Sequence, residues 1–346
     1  MKAVGSIRVG PEERNGTKMI FVCKNCGGNV VYSPERRGMF CPYCDSVESG
    51  ERKDFPNSEI SVCPNCGGEI PVEEHTSAAQ CPYCDNYMIF NQRVEGAYAP
   101  KKIIPFQMGK ETCKNSLREK FKKCTFAPTD FLSEAKLDSM QGYYVPFWFY
   151  SYDTNCRYSG EGTKVRSWTS GNMQYTETSY YRIHRDMDID FQDIPVDASV
   201  QMPDDVMDLI APFQYGQMES FKPEYMSGFY GEKYNMTSDV VESRAKEHMR
   251  DDAEKLLKES ISGYATVSPG QKDVQVRDSK AEYGLIPLWK YNYQYNGQTY
   301  PFYVNGQTGK IVGMPPVSKK KVWAYTGTLW GCLTAILLML RWIVTG

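Results

Sequence analysis

The chain has 346 residues, 41% of them hydrophobic, with 40 Lys+Arg against 42 Asp+Glu and a formal net charge of −2. The length leaves room for a sizeable core and for more than one domain. The near balance of charge gives no overall basic footprint of the kind that nucleic-acid binding needs.

Residues 1–20 read as a polar segment, and residues 1–16 lack the apolar stretch of a signal peptide. Eight of the twelve cysteines then fall into two copies of one pattern, offset by 40 residues. The first is Cys23, Cys26, Cys41 and Cys44, and the second is Cys63, Cys66, Cys81 and Cys84. CKNCGG in the first copy answers CPNCGG in the second, and CPYCD recurs unchanged. Paired close-spaced cysteines of this kind surround a tetrahedral, thiolate-preferring ion. A disulfide framework would require an oxidising compartment, and redox Cys-x2-Cys motifs occur singly beside a βαβ unit. Two structural sites are therefore expected, holding Zn2+ or, as the lesser alternative, iron in a rubredoxin-like centre. The self-similar units, residues 21–50 and 61–92 with a linker at 51–60, suit two sites closed in sequence better than a cross-braced pair. Gly27, Gly28, Gly67 and Gly68 are expected where the backbone wraps its amides around sulfur. These motifs resemble the zinc ribbons of the general transcription factor B type and the ribbon inserts of bacterial replication-restart helicases. Residues 1–100 carry 10 Lys+Arg against 13 Asp+Glu, and each tetrathiolate centre would add about −2. Protein contact suits such an anionic region better than nucleic acid does.

A tyrosine-rich region follows at 97–315. Cys113, Leu117, Phe121 and Cys124 recur at helical spacing and predict a helix over 111–124, with both cysteines as small buried hydrophobes. A second helix is expected from Asp239, capped with Glu242 three residues on. Its apolar face is Val241, Ala245, Met249, Ala253, Leu256 and Ile261, and Gly263 stops it. Strands are expected at 143–152, 174–182, 272–276, 284–295 and 299–304, with tight turns at Asn296-Gly297 and Asn305-Gly306. VPFWFY from Val145 echoes IPLWKY from Ile286 at an offset of 141 residues. Two related α+β halves, each with a Pro-x-Trp strand, are compatible with that echo.

At the far end Lys319, Lys320 and Lys321 precede a run without charge at 322–340. At about 1.5 Å per residue the run spans about 30 Å, the hydrocarbon core of a bilayer. Trp323, Tyr325 and Trp342 flank it, and Arg341 can snorkel to the interface. The basic triplet argues that the N-terminal portion is cytoplasmic. A single-pass, tail-anchored protein of the cell membrane is expected, with 319–344 as basic flank and transmembrane helix; a buried core helix is the competing reading. Gly327, Gly331 and Ala335 share one helix face and suit a homodimer through close helix approach.

Catalytic chemistry leaves no signature. Gly306 to Ile311 reads GQTGKI, which has neither the spacing nor the hydroxyl of a phosphate-binding loop. His75, His184 and His248 are far apart in sequence, and His75 reads as a spectator beside four cysteines. Asp186, Asp188 and Asp190 alternate as on one strand face, with Asp193 nearby, and read as a solvated face or edge. No catalytic residue and no cofactor besides the two metal ions is expected, so the protein is read as a non-enzyme.

The order of paired ribbons, Pro-Phe-Trp-Phe and Pro-Leu-Trp strands, the NGQTGKIVG segment, a basic triplet and a terminal apolar helix resembles a Firmicutes family of zinc-ribbon membrane proteins. That family is associated with phage-shock protein A and flotillin-like envelope-stress systems, and its members are often labelled primosomal or helicase-like. The resemblance implies recruitment of envelope-stress proteins to the membrane. The expected architecture is multidomain: two small zinc β-ribbons, a central α+β region with antiparallel strands, and one C-terminal transmembrane helix. The expected function is a membrane-tethered zinc-ribbon adaptor with a cytoplasmic protein-docking surface. The alternative is a membrane-associated nucleic-acid-binding or replication/transcription regulatory protein.

Overall fold

Alternating aromatic and β-branched residues give this chain strands much longer than their sequence signals, and those strands tie the ribbons and the central region into one sheet. The computed structural model describes residues 15–48 and 50–345. The N-terminal quarter holds β1 (Asn15–Cys23), β2 (Val31–Ser33), β3 (Gly38–Phe40), β4 (Gly50–Glu59), β5 (Thr76–Gln80) and β6 (Tyr87–Phe90). Next come β7 (Lys102–Ile103), α1 (Lys110–Phe121), α2 (Glu134–Leu137), β8 (Gln141–Ser170), β9 (Met173–Asp197) and α3 (Asp204–Ile210). They are followed by β10 (Glu219–Ser220), β11 (Tyr230–Glu232), α4 (Ser238–Ser260), β12 (Thr266–Val267), β13 (Gln271–Tyr295), β14 (Gln298–Asn305), β15 (Ile311–Val312) and α5 (Lys319–Thr345).

Thirteen strands form one mixed sheet, with the path β10-β7-β13-β8-β11-β5-β6-β1-β4, and β2 and β3 form a separate hairpin. Three expectations are corrected here. The ribbons are not small separate units: β6 pairs with β1 of the first ribbon, and β5 pairs with β11 of the central region. The segment 51–60 is not a linker but most of β4, paired with β1. Its Glu51, Arg52, Lys53 and Asp54 look like linker residues because charge is how an exposed sheet edge avoids further pairing. The central strands are not all antiparallel, since β11 runs parallel to β8 and β7 parallel to β13. The polar segment 1–20 lies outside the described residues up to 14; from Asn15 it is β1, with Met19 and Ile20 buried. Lys18 is buried too, its ammonium donating to the carbonyls of Glu59 and Val62, and burial lowers it to about 8.

The two faces of the central strands follow their period of two. Tyr144 faces the largest core, with Phe106, Phe131, Phe229, Trp289 and Phe302, while Val145, Phe147 and Phe149 face a second core with Met207, Ile210 and Phe213. Burial on both faces explains why Leu285 to Tyr293 is almost continuously apolar or aromatic. The expected strands at 272–276 and 284–295 are one strand, β13, carried through a register shift between Val276 and Asp278. Asn296 and Gly297 both have positive φ, as the tight β13–β14 turn requires. Asn305-Gly306 is not such a turn. Asn305 is fully buried, its Oδ1 accepting from the Gln307 and Thr308 amides and its Nδ2 donating to the Ile210 carbonyl.

Both expected helices form, although α1 ends at Phe121, short of the expected Cys124. In α4 Thr237, not Asp239, occupies the cap position, and Leu257 rather than Leu256 is buried. Asp239 lies in the first turn, where the Thr237 hydroxyl and nearby amides hold its carboxyl below the usual range. The Pro-x-Trp echo has a spatial counterpart: Val145 lies opposite Ile286, and Pro146 opposite Leu285, in the β8–β13 ladder. Trp148 Nε1 donates to the Met236 carbonyl just before α4, and Trp289 Nε1 to the Met108 carbonyl just before α1. Each parallel strand pairs at the matching place, β7 beside Gly284 and Leu285, β11 beside Tyr143 and Tyr144.

Helix α5 leaves the body at Ser318, whose amide donates to the Phe126 carbonyl, and Tyr325 packs edge-on against Phe126. From Lys319 to Ile343 it is long and apolar enough to cross a membrane, and no residue of that stretch is buried in the protein.

Candidate metal centres

Each ribbon closes its own cysteine cluster, in sequence and not cross-braced. Cys23, Cys26, Cys41 and Cys44 form one group and Cys63, Cys66, Cys81 and Cys84 the other, with every Sγ within 4.8 Å of the rest of its group. Sulfur–sulfur separations are 3.6 Å for Cys23–Cys44, 3.5 Å for Cys26–Cys41, 3.7 Å for Cys63–Cys84 and 3.6 Å for Cys66–Cys81. A disulfide needs sulfurs about 2.05 Å apart. A regular tetrahedron with metal–sulfur bonds of about 2.3 Å places its sulfurs about 3.8 Å apart. The spacing therefore fits four thiolates around one ion in each ribbon.

The same backbone device appears four times. The Cys23 amide donates to the Gly28 carbonyl and the Gly27 amide to the Cys23 carbonyl, both at 2.8 Å; Cys63, Gly68 and Gly67 repeat this at 2.8 and 2.9 Å. In the second half of each ribbon the Cys41 amide donates to Ser46 and Asp45 to Cys41, while Cys81 donates to Asn86 and Asp85 to Cys81. The glycines divide the work differently from expectation. Only Gly27 and Gly67 have positive φ, 76° and 73°. At Gly28 and Gly68 the constraint is space, because a Cβ would lie 2.5 Å from the Tyr43 ring and 2.4 Å from the Tyr83 ring. Asp45 and Asp85 supply the matching left-handed residues at φ 60° and 58°. The recurrence of Asp after both Cys-Pro-Tyr-Cys knuckles was the signal for them, since Asp tolerates that conformation.

Hydrogen bonds to sulfur favour thiolate. Burial works against Cys84, but the Asn86 amide and the Asn65 side chain outweigh it and bring it down to about 7. Burial among its neighbouring thiols pushes Cys63 up to about 12. Binding an ion would release such protons, since the thiolate is the ligand. Tyr43 and Tyr83 stand 63% and 70% exposed on the knuckles, beside the more exposed cysteine of each pair.

The other candidates do not join these centres. His75 is outside both clusters, with its carbonyl accepting from the Lys233 amide. His248 lines a cleft beside α4, and His184 lies in β9. Asp186 and Asp188 accept from Asn155 Nδ2 at 2.7 and 3.0 Å and face Arg157 and Arg277, so protein cations already neutralise that strand face. Cys113 is fully buried in the main core, whereas Cys124 is exposed. Beside the two cysteine clusters, an acidic group that the sequence did not announce gathers Glu111, Glu134 and Asp138. The buried Lys114 ammonium fills its centre, at 2.7, 2.7 and 2.5 Å. Burial pulls Lys114 down, but the three carboxylates outweigh it and hold the amine above the ordinary lysine range.

The chain is 36% identical over 329 residues to the uncharacterized protein YdjG of Bacillus subtilis (strain 168), a match covering 92% of this chain and 96% of the relative. No family model and no solved structure matches the chain.

Proposed function

This chain belongs to the same family as YdjG of Bacillus subtilis, and from that premise we propose that it is a membrane-tethered, non-enzymatic adaptor. In this reading the two clusters hold structural Zn2+, the ribbons present a docking surface for a protein on the cytoplasmic side, and α5 crosses the membrane. The carrying observation is that each cluster brings four cysteine sulfurs within 4.8 Å of one another, with Cys23 ending β1 and Cys81 directly following β5 of the main sheet. Four protein ligands leave no position for an activated water, which is the arrangement of a structural site. The exposed tyrosines of both knuckles offer amphipathic contact surface of the kind enriched at interfaces. The partners proposed are the envelope-stress proteins that the sequence resemblance implies, phage-shock protein A-like or flotillin-like. Gly327, Gly331 and Ala335 would serve self-association within the membrane.

The experiment compares full-length protein with the Cys41→Ser, Cys44→Ser variant, purified from membranes and probed for a phage-shock protein A-like or flotillin-like partner. Zinc should fall by about one equivalent per chain in the variant, and partner recovery should fall with it. Equal recovery from both, or none from either, rejects the docking role; unchanged zinc rejects the metal assignment.

A further inference from the structure

Where β5 of the second ribbon meets β11, the structure leaves a cavity of about 380 Å³ between ribbon and central strands. Its walls come from both sides of that seam: Glu73 and Gln80 from the ribbon, Gln141 and Tyr143 from β8, Tyr230 and Glu232 from β11. Among the described residues no Lys, Arg or His lines it, and the nearby Lys290 ammonium stands 5.8 Å from the Tyr143 ring centroid. The volume is far more than one water needs, and the walls are too polar for an apolar guest.

The lining is held in place by its own hydrogen bonds. Tyr143 and Tyr230 stack with centroids 5.2 Å apart, and Gln141 bridges them, donating to Tyr230 Oη at 3.1 Å and accepting from Tyr143 Oη at 2.9 Å. Gln201 Nε2 fixes Glu73 Oε2 at 3.0 Å. Glu232 is only 8% exposed and receives the Ser199 hydroxyl at 2.8 Å. A carboxylate has about four acceptor positions, so one hydroxyl leaves most of its capacity open. Burial raises this carboxyl above its ordinary range and the Glu73 charge adds to the effect; the Ser199 hydrogen bond and the Lys290 charge offset only part. Negative charge is therefore kept at an energetic cost that a guest cation would remove. A bare metal ion is the wrong guest, because Glu73 and Glu232 do not gather with a third ligand into a metal-sized group. A multi-donor organic cation matches the spread of carboxylate, amide and phenol oxygens.

We propose that this cavity binds a guanidinium or primary-ammonium group, with Glu232 as its main counter-charge and Glu73 as the second. The group is carried either by a small free amine or by an Arg or Lys side chain of a bound polypeptide. Pro82 of the second knuckle forms part of the wall, but the exposed Tyr43 and Tyr83 do not, so the site is separate from the docking surface proposed for them.

The test uses full-length, metal-loaded protein in nonionic detergent micelles and calorimetric titration at physiological salt. The probes are agmatine, an acetyl-Gly-Arg-Gly-amide peptide and the same peptide with citrulline for arginine. Saturable one-to-one binding of agmatine or of the arginine peptide is expected, and which one binds more tightly identifies the source. Glu232→Gln should weaken it by about tenfold or more, the loss of one charged contact. Gln201→Trp, a change at the exposed rim, should weaken it by obstructing the mouth, which keeps the test decisive if the Glu232 variant fails to fold. Absence of saturable binding by both cationic probes, equal binding of the citrulline peptide, or unchanged affinity in the variants that fold overturns the proposal.

Discussion

The two thiolate centres are made from the same local parts and differ in what stands behind them. Cys23 and Cys41 belong to the largest core, shared with Phe106, Phe131, Phe229 and Trp289. Cys63 and Cys81 pack in a satellite core with Ile20, Ile60, Ile70, Met88 and Phe90. The first ribbon is also bolted to the central region through the Tyr32 amide and the Val30 carbonyl, both bonded to Ser227. A metal site's geometry is thus a local property of about two knuckles, while its weight in global stability depends on the packing it anchors.

The largest expected effect separates the centres directly. Cys41→Ser with Cys44→Ser should cost the whole protein more than about 3 kcal/mol, because the ion's folding energy is lost where the main core begins. Cys81→Ser with Cys84→Ser should remove the same amount of metal, yet increase hydrogen exchange chiefly over residues 60–90. Thermal unfolding and amide exchange of both variants check this; equal global destabilisation would break the contrast. Next in size are the glycines. Gly28→Ala should cost about 1–3 kcal/mol by overpacking against Tyr43, and Tyr43→Ala should relieve it in a double-mutant cycle. Gly27→Ala should cost about 1 kcal/mol through its positive φ and should show no such rescue. The smallest effect lies away from both centres, at Lys114. Hydrogen bonds from Lys114 hold the Glu134 and Asp138 carboxyls below their ordinary values of 4.5 and 3.8. Depressed carboxyl pKa values contribute stability above the unfolded values, and that stability is lost as pH falls through the folded ones. Lys114→Met should therefore flatten the acid limb of stability below about pH 4, read by denaturant titration across pH.

The cysteine pattern made both clusters legible down to each cysteine, because paired close spacing leaves few ways to bring four sulfurs around one point. Cys113, Leu117 and Phe121 similarly announced α1, and Val241, Ala245, Met249 and Ala253 announced α4, through the helical period alone. The mixed sheet was not legible. The pairing of β5 with β11, or of Lys102 with Gly284, depends on partners more than 150 residues away, and no local signal encodes it. Short strands such as β7 and β11, two and three residues long, carry too little periodicity to read. The cavity at the ribbon seam was hidden for the same reason, since Glu73, Gln141 and Glu232 meet only when that sheet closes.

The face-to-face Pro-x-Trp strands carry a consequence for the order of assembly. The ladder between residues 141–159 and 271–290, and that between 102–103 and 284–285, are contacts of very high sequence separation. Contacts of that kind slow folding, because a long loop must close before they form. The β1–β4 hairpin and both thiolate clusters need no residue beyond 90. As the chain emerges from the ribosome, metal can be captured early, whereas the central sheet must wait for β13. A partly made chain would therefore carry two finished metal centres on an unfinished sheet, exposing its edges until the last third of synthesis is complete.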